Sequence, residues 1–370
     1  MAKKSEVTWI SSEPVRRAKS AIAVTVSVVV LLSVISVVGV YGYNQYTNYL
    51  EREDYIGTGE QPIQVVVDKG WGWGKVADTL LVKGVIKDPD LFRKEALKLA
   101  EGPSPGTWNL MTHLPAETAA QMMMNTKNRL ELRLTVPEGR RLVDIFPIMI
   151  KELGITQSEI DQAIEAIKAD PKIIGLHPDA ASDLEGFLFP DTYLLYPPID
   201  TDALSVFEKM ANQFNLVAEE TDLEKKAKAL GITVKEAVII ASIVDAEVLG
   251  DDQPKAARVI FNRLAKGMEL QMDTVVLYGL GRNDVILSIE QTEIDTPYNV
   301  YMYKGLPPTA INCPGRDALD AAVNPQKGKW LFWTTINLDT GETNFENNEA
   351  QHEASRKQLA QWCDDNPGKC

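Results

Sequence analysis

A chain of 370 residues is long enough for two or three folded domains, because single hydrophobic cores stop growing well before that length. With 38 Lys and Arg against 52 Asp and Glu, the formal net charge is −14, which argues against a nucleic-acid partner or a polyanionic substrate. Three cysteines and three scattered histidines (His113, His177, His352) match no metal-ligand spacing, so neither a metal nor a cofactor is expected.

The chain opens with a basic tail, residues 1–20, carrying Lys3, Lys4, Arg16, Arg17 and Lys19. From Ala21 to Gly42 it reads AIAVTVSVVVLLSVISVVGVYG, and no charge falls between Lys19 and Glu51. At about 1.5 Å per residue this run spans a hydrocarbon core of about 30 Å. It is too long for the apolar region of a cleaved signal peptide, and no Ala-x-Ala site follows it. It therefore reads as a single transmembrane helix in a plasma (inner) membrane. Basic residues before it and Glu51, Glu53 and Asp54 after it predict a cytoplasmic N-terminus and an extracytoplasmic remainder. Tyr41, Tyr43, Tyr46 and Tyr49 suit an interfacial aromatic belt, and residues 43–60 suit a tether.

Beyond the tether, Ile63–Val67 reads as a strand, Lys75–Lys83 as a helix stopped by Gly84, and Pro89–Leu99 as a second helix. Gly106–Leu110 reads as a turn entering a strand, so residues 61–129 form a small module suited to binding or docking. Its Gly70-Trp-Gly-Trp-Gly74 run lacks the Lys-Ser/Thr of a phosphate cradle. Trp71 and Trp73 either stack on sugar rings or cap the module's core. Leu132–Val136 is then a strand, Pro137-Glu-Gly139 a turn and Leu142–Leu153 a helix; Thr156 and Glu159 form a capping box. The block Glu185-Gly-Phe-Leu-Phe-Pro-Asp-Thr-Tyr193 suits neither helix nor strand.

The densest concentration of chemistry begins at Thr233, which with Glu236 forms a capping box for a helix that Gly250 should end. Ala237 to Val244 is apolar all round, so the helix should be buried, with Asp245 and Glu247 emerging at its end. Helical spacing lays Glu247 over Val244, Ile243 and Ile240, a more apolar bed than that of Asp245. Desolvation and the negative helix end both disfavour the charged carboxylate there, as a general acid near neutral pH requires. A structural ion pair with a lysine or arginine suits the same position. Two residues apart, the carboxylates face different sides and do not make a paired-carboxylate glycosidase site. A helix from Pro254 to Leu264 delivers Asn262 and Arg263 toward Gln271 and Asp273, and Tyr278, Tyr298, Tyr301 and Tyr303 offer stacking faces. Amides, guanidinium and carboxylates in this concentration suit sugar hydroxyls and N-acetyl groups.

Several blocks in register resemble the MltG/YceG family of endolytic murein transglycosylases. They are TVPEG (135–139), EGFLFPDTY (185–193), ASIVDAE (241–247), VIFNRLAKGMELQMD (259–273), YG (278–279), TPYNVY (296–301), GLPPTAINCPG (305–315) and the late His352. The resemblance implies an α+β fold with a LysM-like module at 61–129, a YceG-type catalytic region at 132–361 and a C-terminal tail at 362–370. It implies nonhydrolytic cleavage between N-acetylmuramic acid and N-acetylglucosamine in peptidoglycan glycan strands, leaving 1,6-anhydro-muramyl ends. Glu247 is the acid and base in that reading. Asn262, Arg263, Gln271, Asp273, Tyr278, Tyr298 and Asn299 then position the sugar, and Glu185 and Asp191 shape the groove wall or hold Arg263. Peptidoglycan synthases are the implied protein partners. Asp245, Ala246, Thr274 and Cys313 depart from the family's usual Glu, Lys, Pro and Asn.

The rival from another class is a noncatalytic, membrane-anchored peptidoglycan-binding scaffold. A true hydrolase would need a second carboxylate to activate water, with Asp191 or Asp273 as candidates. Cys363 and Cys370 bracket a turn-forming stretch that would let them pair in an oxidising compartment, and three unpaired thiols fit the sequence equally.

Overall fold

The computed structural model describes residues 13–50, 53–99, 101–181, 183–282 and 287–369, and within the first helix the side chains of residues 24–47. Expectations resting on Lys3, Lys4, Glu51 and Cys370, and on the side chains of Arg16, Arg17, Lys19 and Tyr49, lie outside these. Helix α1 (Glu13–Leu50) runs past the expected end at Gly42. Its stretch Val24–Thr47 has no buried residue and is long and apolar enough to cross a membrane. The helix continues because nothing between Gly42 and Leu50 breaks it: no proline occurs there.

The chain divides into two compact units, the first of which includes α1. One takes the chain up to Val65 with Trp71–Pro103 and Asn109–Asn128; the other takes Val66–Gly70, Ser104–Trp108 and the chain from Arg129 onward. The first contains most of β1 (Pro62–Val67), then α2 (Trp73–Val82), α3 (Pro89–Ala96), part of β2 (Gly106–Met111) and α4 (Ala116–Met124), with β1 and β2 paired. Asp88 caps α3 by accepting from the backbone N–H groups of Asp90 and Leu91, with Pro89 at the first helical position. Val76, Leu80, Phe92, Ala96, Leu110, Leu114 and Met123 form the buried side of this unit. Trp73 settles between its two readings on the packing side. Its ring meets Phe92 edge-on at 5.9 Å, and its Nε1–H donates to the Glu101 carbonyl at 3.1 Å.

In the second unit β3 (Leu132–Thr135) pairs antiparallel with β4 (Thr192–Leu195), Leu134 facing Tyr193. The end of the block at 185–193 therefore enters a strand, although sequence alone favoured none. Helices α5 (Leu142–Leu153), α6 (Gln157–Ala169), α7 (Ala203–Glu220) and α8 (Leu223–Leu230) lead to α9 (Val234–Glu247), followed by α10 (Gln253–Lys266), α11 (Asp273–Gly279), α12 (Ile289–Thr292) and α13 (Arg316–Val323). The hairpin β5 (Phe332–Asn337) and β6 (Glu342–Glu346), with Trp333 opposite Phe345, carries α14 (Glu349–Asp365) on one face.

The capping boxes at Thr156/Glu159 and Thr233/Glu236 both close. Helix α9 is the centre of this unit: α8, α10, α11 and α13 pack around it, and every residue from Ala237 to Val244 is buried. It ends at Val248, whose extended backbone leaves the helix, and Gly250 opens a short 3-10 turn. Gly250 is thus not the terminator expected. Cys363 is disulfide-bonded, whereas Cys313 is a buried free thiol.

Candidate active site

The capping box at Thr233 fixes where α9 starts, and its length then places Glu247 at the last helical position, above buried Ile240, Ile243 and Val244. The Thr274 hydroxyl donates to Glu247 Oε1 at 2.6 Å. Burial raises the Glu247 pKa and the Asp273 carboxylate raises it further, while the Thr274 hydrogen bonds and the Arg263 charge act the other way. Desolvation thus favours the protonated carboxyl, while a donor and a cation lie nearby for its charged form.

Glu247 borders a cleft of about 690 Å³ together with Arg263, Gln271, Asp273, Thr274, Tyr301, Phe332, Trp333, Glu349, His352 and Arg356. Asp273 opens α11 and accepts from the Tyr301 hydroxyl at 2.5 Å; burial and that carboxylate push the Tyr301 phenol up. Gln271 takes a left-handed backbone (φ 51°), uncommon for a residue with a side chain, and its N–H donates to the Val300 carbonyl at 3.0 Å. Arg263, on α10, is 7 % exposed. It donates to the carbonyls of Leu331 (2.6 Å) and Leu270, and its guanidinium lies 4.9 Å from the Phe332 ring centre.

Other candidate residues gather elsewhere. Glu185 lies beneath the start of α5, accepting from the Leu142 N–H and from the Tyr278 hydroxyl, both at 3.1 Å. Desolvation pushes its pKa up to about 7. Tyr278 meets Tyr298 edge-on at 5.2 Å, and the Tyr298 hydroxyl shares a hydrogen bond with Thr309 at 2.7 Å. Asp245 faces Gly139 rather than the cleft, and burial raises it to about 6. Gly139 has a positive φ (71°), and a Cβ there would stand 2.7 Å from Asp245 Oδ2.

These raised values have a consequence for stability. A carboxyl whose folded pKa exceeds its unfolded value stabilises the fold fully below the unfolded pKa, and that contribution is lost as pH rises through the folded pKa. For Glu185 the window runs from about 4.5 to about 7, and the contribution is on the order of 3 kcal/mol. The melting temperature of the full chain is expected to fall between pH 5 and pH 8, and to fall less in Glu185→Gln. An equal fall in both proteins would assign the dependence to other groups.

Asn262 and Asn299 spend their amides on the backbone. Asn262 donates to the carbonyls of Gly328 (3.2 Å) and Trp330 (2.8 Å). Asn299, fully buried, donates to those of Thr292 (2.9 Å) and Ile294 (2.7 Å). Asp191 is exposed and accepts from the Thr192 N–H at 2.7 Å. Arg263 is held by backbone carbonyls, not by Glu185 or Asp191 as one expectation had it; its buried guanidinium finds its acceptors in the loops that α10 touches. Of the expected residues, the cleft unites Glu247, Arg263, Gln271, Asp273 and Tyr301 with the motif residue His352. Phe332, Trp333, Glu349 and Arg356 carried no signal of their own in the sequence, and Thr274 stood out there as a departure from the family's pattern, without a role.

The family model described as the YceG-like family matches residues 65–358. A curated relative from Bacillus subtilis (strain 168), named endolytic murein transglycosylase, is 26% identical over 307 residues, covering 80% of this chain and 84% of that protein. A relative of the same name from Streptococcus pneumoniae serotype 2 (strain D39) is 25% identical over 363 residues, covering 90% of this chain and 64% of the longer relative. Among solved structures, a yceG-like protein from Listeria monocytogenes has a TM-score of 0.54 at 24% identity, covering 80% of this chain and 99% of that one, a likeness of fold.

Proposed function

This chain belongs to the YceG-like family, and from that footing we propose that it is a membrane-anchored endolytic transglycosylase acting on peptidoglycan glycan strands. The names of its relatives support the activity. The observation that carries the reading for this chain is Glu247: a desolvated carboxyl group bordering an open cleft, with its pKa raised by burial.

In this reading Glu247 protonates the glycosidic oxygen between N-acetylmuramic acid and N-acetylglucosamine. The departing sugar takes the proton, and Glu247 becomes a carboxylate stabilised by the Thr274 donor and the nearby Arg263 charge. It then accepts the proton of the muramyl C6 hydroxyl as that oxygen attacks C1, closing the 1,6-anhydro ring. One carboxyl group serves both steps, and no water is consumed. Gln271, Asp273 and Tyr301 border the same cleft and in this reading hold the sugar.

Helix α1 serves as the anchor, with the N-terminus cytoplasmic and the remainder of both units outside, and residues 61–129 act as a LysM-like module that holds the strand for the region at 132–361. Synthases that make the strands are the fitting partners. The test is the mass of the soluble products released from purified peptidoglycan by the full chain in detergent. Anhydro-muramyl ends are expected. Reducing ends would indicate a hydrolase, with Asp273 the one of its two candidate carboxylates, Asp191 and Asp273, that borders the cleft. Binding without products would indicate a scaffold.

Thr274 supplies a second measurement. Its hydroxyl favours the charged form of Glu247, so Thr274→Val should raise that pKa further. A general acid works while protonated, so the alkaline limb of the kcat/KM profile should move to higher pH in the variant. A limb that stays in place or moves down would show that Thr274 does not tune the acid.

A further inference from the structure

The hairpin and α14 contribute a group that the reaction just described does not use. Glu346, at the end of β6, is 4 % exposed, and neither carboxylate oxygen accepts a hydrogen bond from any described residue. Its ion partner is His352, whose Nδ1 lies 3.7 Å from Oε2. The same Nδ1 is 3.0 Å from the hydroxyl of Thr334, itself buried on β5. The imidazole stacks on Phe332 at 4.8 Å and 21°, and His352 and Phe332 both border the cleft that holds Glu247.

A buried carboxylate without donors is costly, and a well-packed neutral replacement is usually neutral or stabilising. Its presence therefore calls for a reason other than stability. The arrangement supplies one. Which imidazole nitrogen carries the proton is set by what the other edge of the ring faces. Glu346 and Thr334 both lie on the Nδ1 side of the ring, and a proton held on Nδ1 leaves Nε2, on the other edge, as the acceptor.

We propose that His352 contacts the substrate, its Nε2 accepting a hydrogen bond from a hydroxyl or amide N–H of an N-acetylated sugar, and that Glu346 is a positioning residue that fixes the ring's tautomer and rotation. This rests on the glycan-cleaving reading of the same cleft. Glu346 touches no sugar and acts through His352.

The experiment compares the full chain with Glu346→Gln, His352→Gln and the double variant, measuring kcat, KM, binding of uncleaved glycan strands and melting temperature. His352→Gln should lower kcat/KM by about tenfold, the worth of one lost neutral hydrogen bond, mostly through a higher KM. Glu346→Gln should lose several-fold while melting at or above the wild-type temperature, a combination that a structural role would not give. The double variant should be no worse than His352→Gln alone, since the two act as one unit. Additive losses, an unchanged kcat/KM in His352→Gln, or a Glu346→Gln protein that melts lower with unchanged kinetics would each overturn the proposal. A wild-type chain that releases no products would instead sink the transglycosylase reading. Strand binding then decides this inference: weaker binding in His352→Gln supports it, and equal binding ends it.

Discussion

Replacing Glu247 with Gln is expected to lower turnover of peptidoglycan by about 100- to 10,000-fold, the range of a lost general acid and base. Glutamine has the same shape, and its amide oxygen can still accept from the Thr274 hydroxyl, which lies 2.6 Å from the carboxylate it replaces. What it lacks is a proton to give to the glycosidic oxygen and a lone pair basic enough to take one from the C6 hydroxyl. The fold should be undisturbed, because Glu247 is a desolvated group whose charged form burial disfavours. Melting temperature should therefore stay level or rise, and uncleaved strands should still bind. The mass-resolved product assay separates the possibilities: a variant that retains anhydro-muramyl products within a few-fold of wild type would remove Glu247 from the chemistry.

The second large effect is expected at Arg263, and it concerns the scaffold more than the sugar. The guanidinium is buried and donates to the Leu331 and Leu270 carbonyls, which lie in the two segments leading to β5 and to α11. Truncation to alanine leaves those carbonyls without their donor and removes the plane stacked on Phe332. Orphaned buried acceptors cost about 1–3 kcal/mol each, so Arg263→Ala should destabilise the protein by roughly 3 kcal/mol. For a unit of this size that lowers the melting temperature by on the order of 10 °C. Product formation should fall with it, since Leu270 and Phe332 border the cleft. Arg263→Lys should rescue little, because an ammonium cannot reproduce the planar fork or the stack. A variant that melts normally and shows only a higher KM would restore Arg263 as a sugar contact.

Much of this molecule is legible in the order of its residues, because the signals are local. An uninterrupted apolar run from Ala21 dictates a long uncovered helix. Thr233 and Glu236 set the register of α9, so the position of Glu247 at its buried end follows from counting, and the apolar bed that raises its pKa follows from helical spacing. Local signals misplace what depends on distant partners. Gly250 resembles a helix stop, but Val248 turns the chain first. Tyr193 belongs to a strand because residues 132–135 offer it a partner.

The polar residues divide in the same way. Asn262, Arg263 and Asn299 have the chemistry of sugar ligands, yet their donors are taken by backbone carbonyls that folding strips of water, a demand that becomes visible once the loops beside α10 and after α12 are in place. Conversely, Phe332, Trp333, His352 and Arg356 enter the cleft because the hairpin and α14 bring them to Glu247 from the far end of the chain. Sequence alone determined the uncovered helix, the central helix and its terminal carboxyl. Tertiary structure decided what that carboxyl faces, because hydrogen-bond satisfaction and long-range packing are properties of neighbours in space.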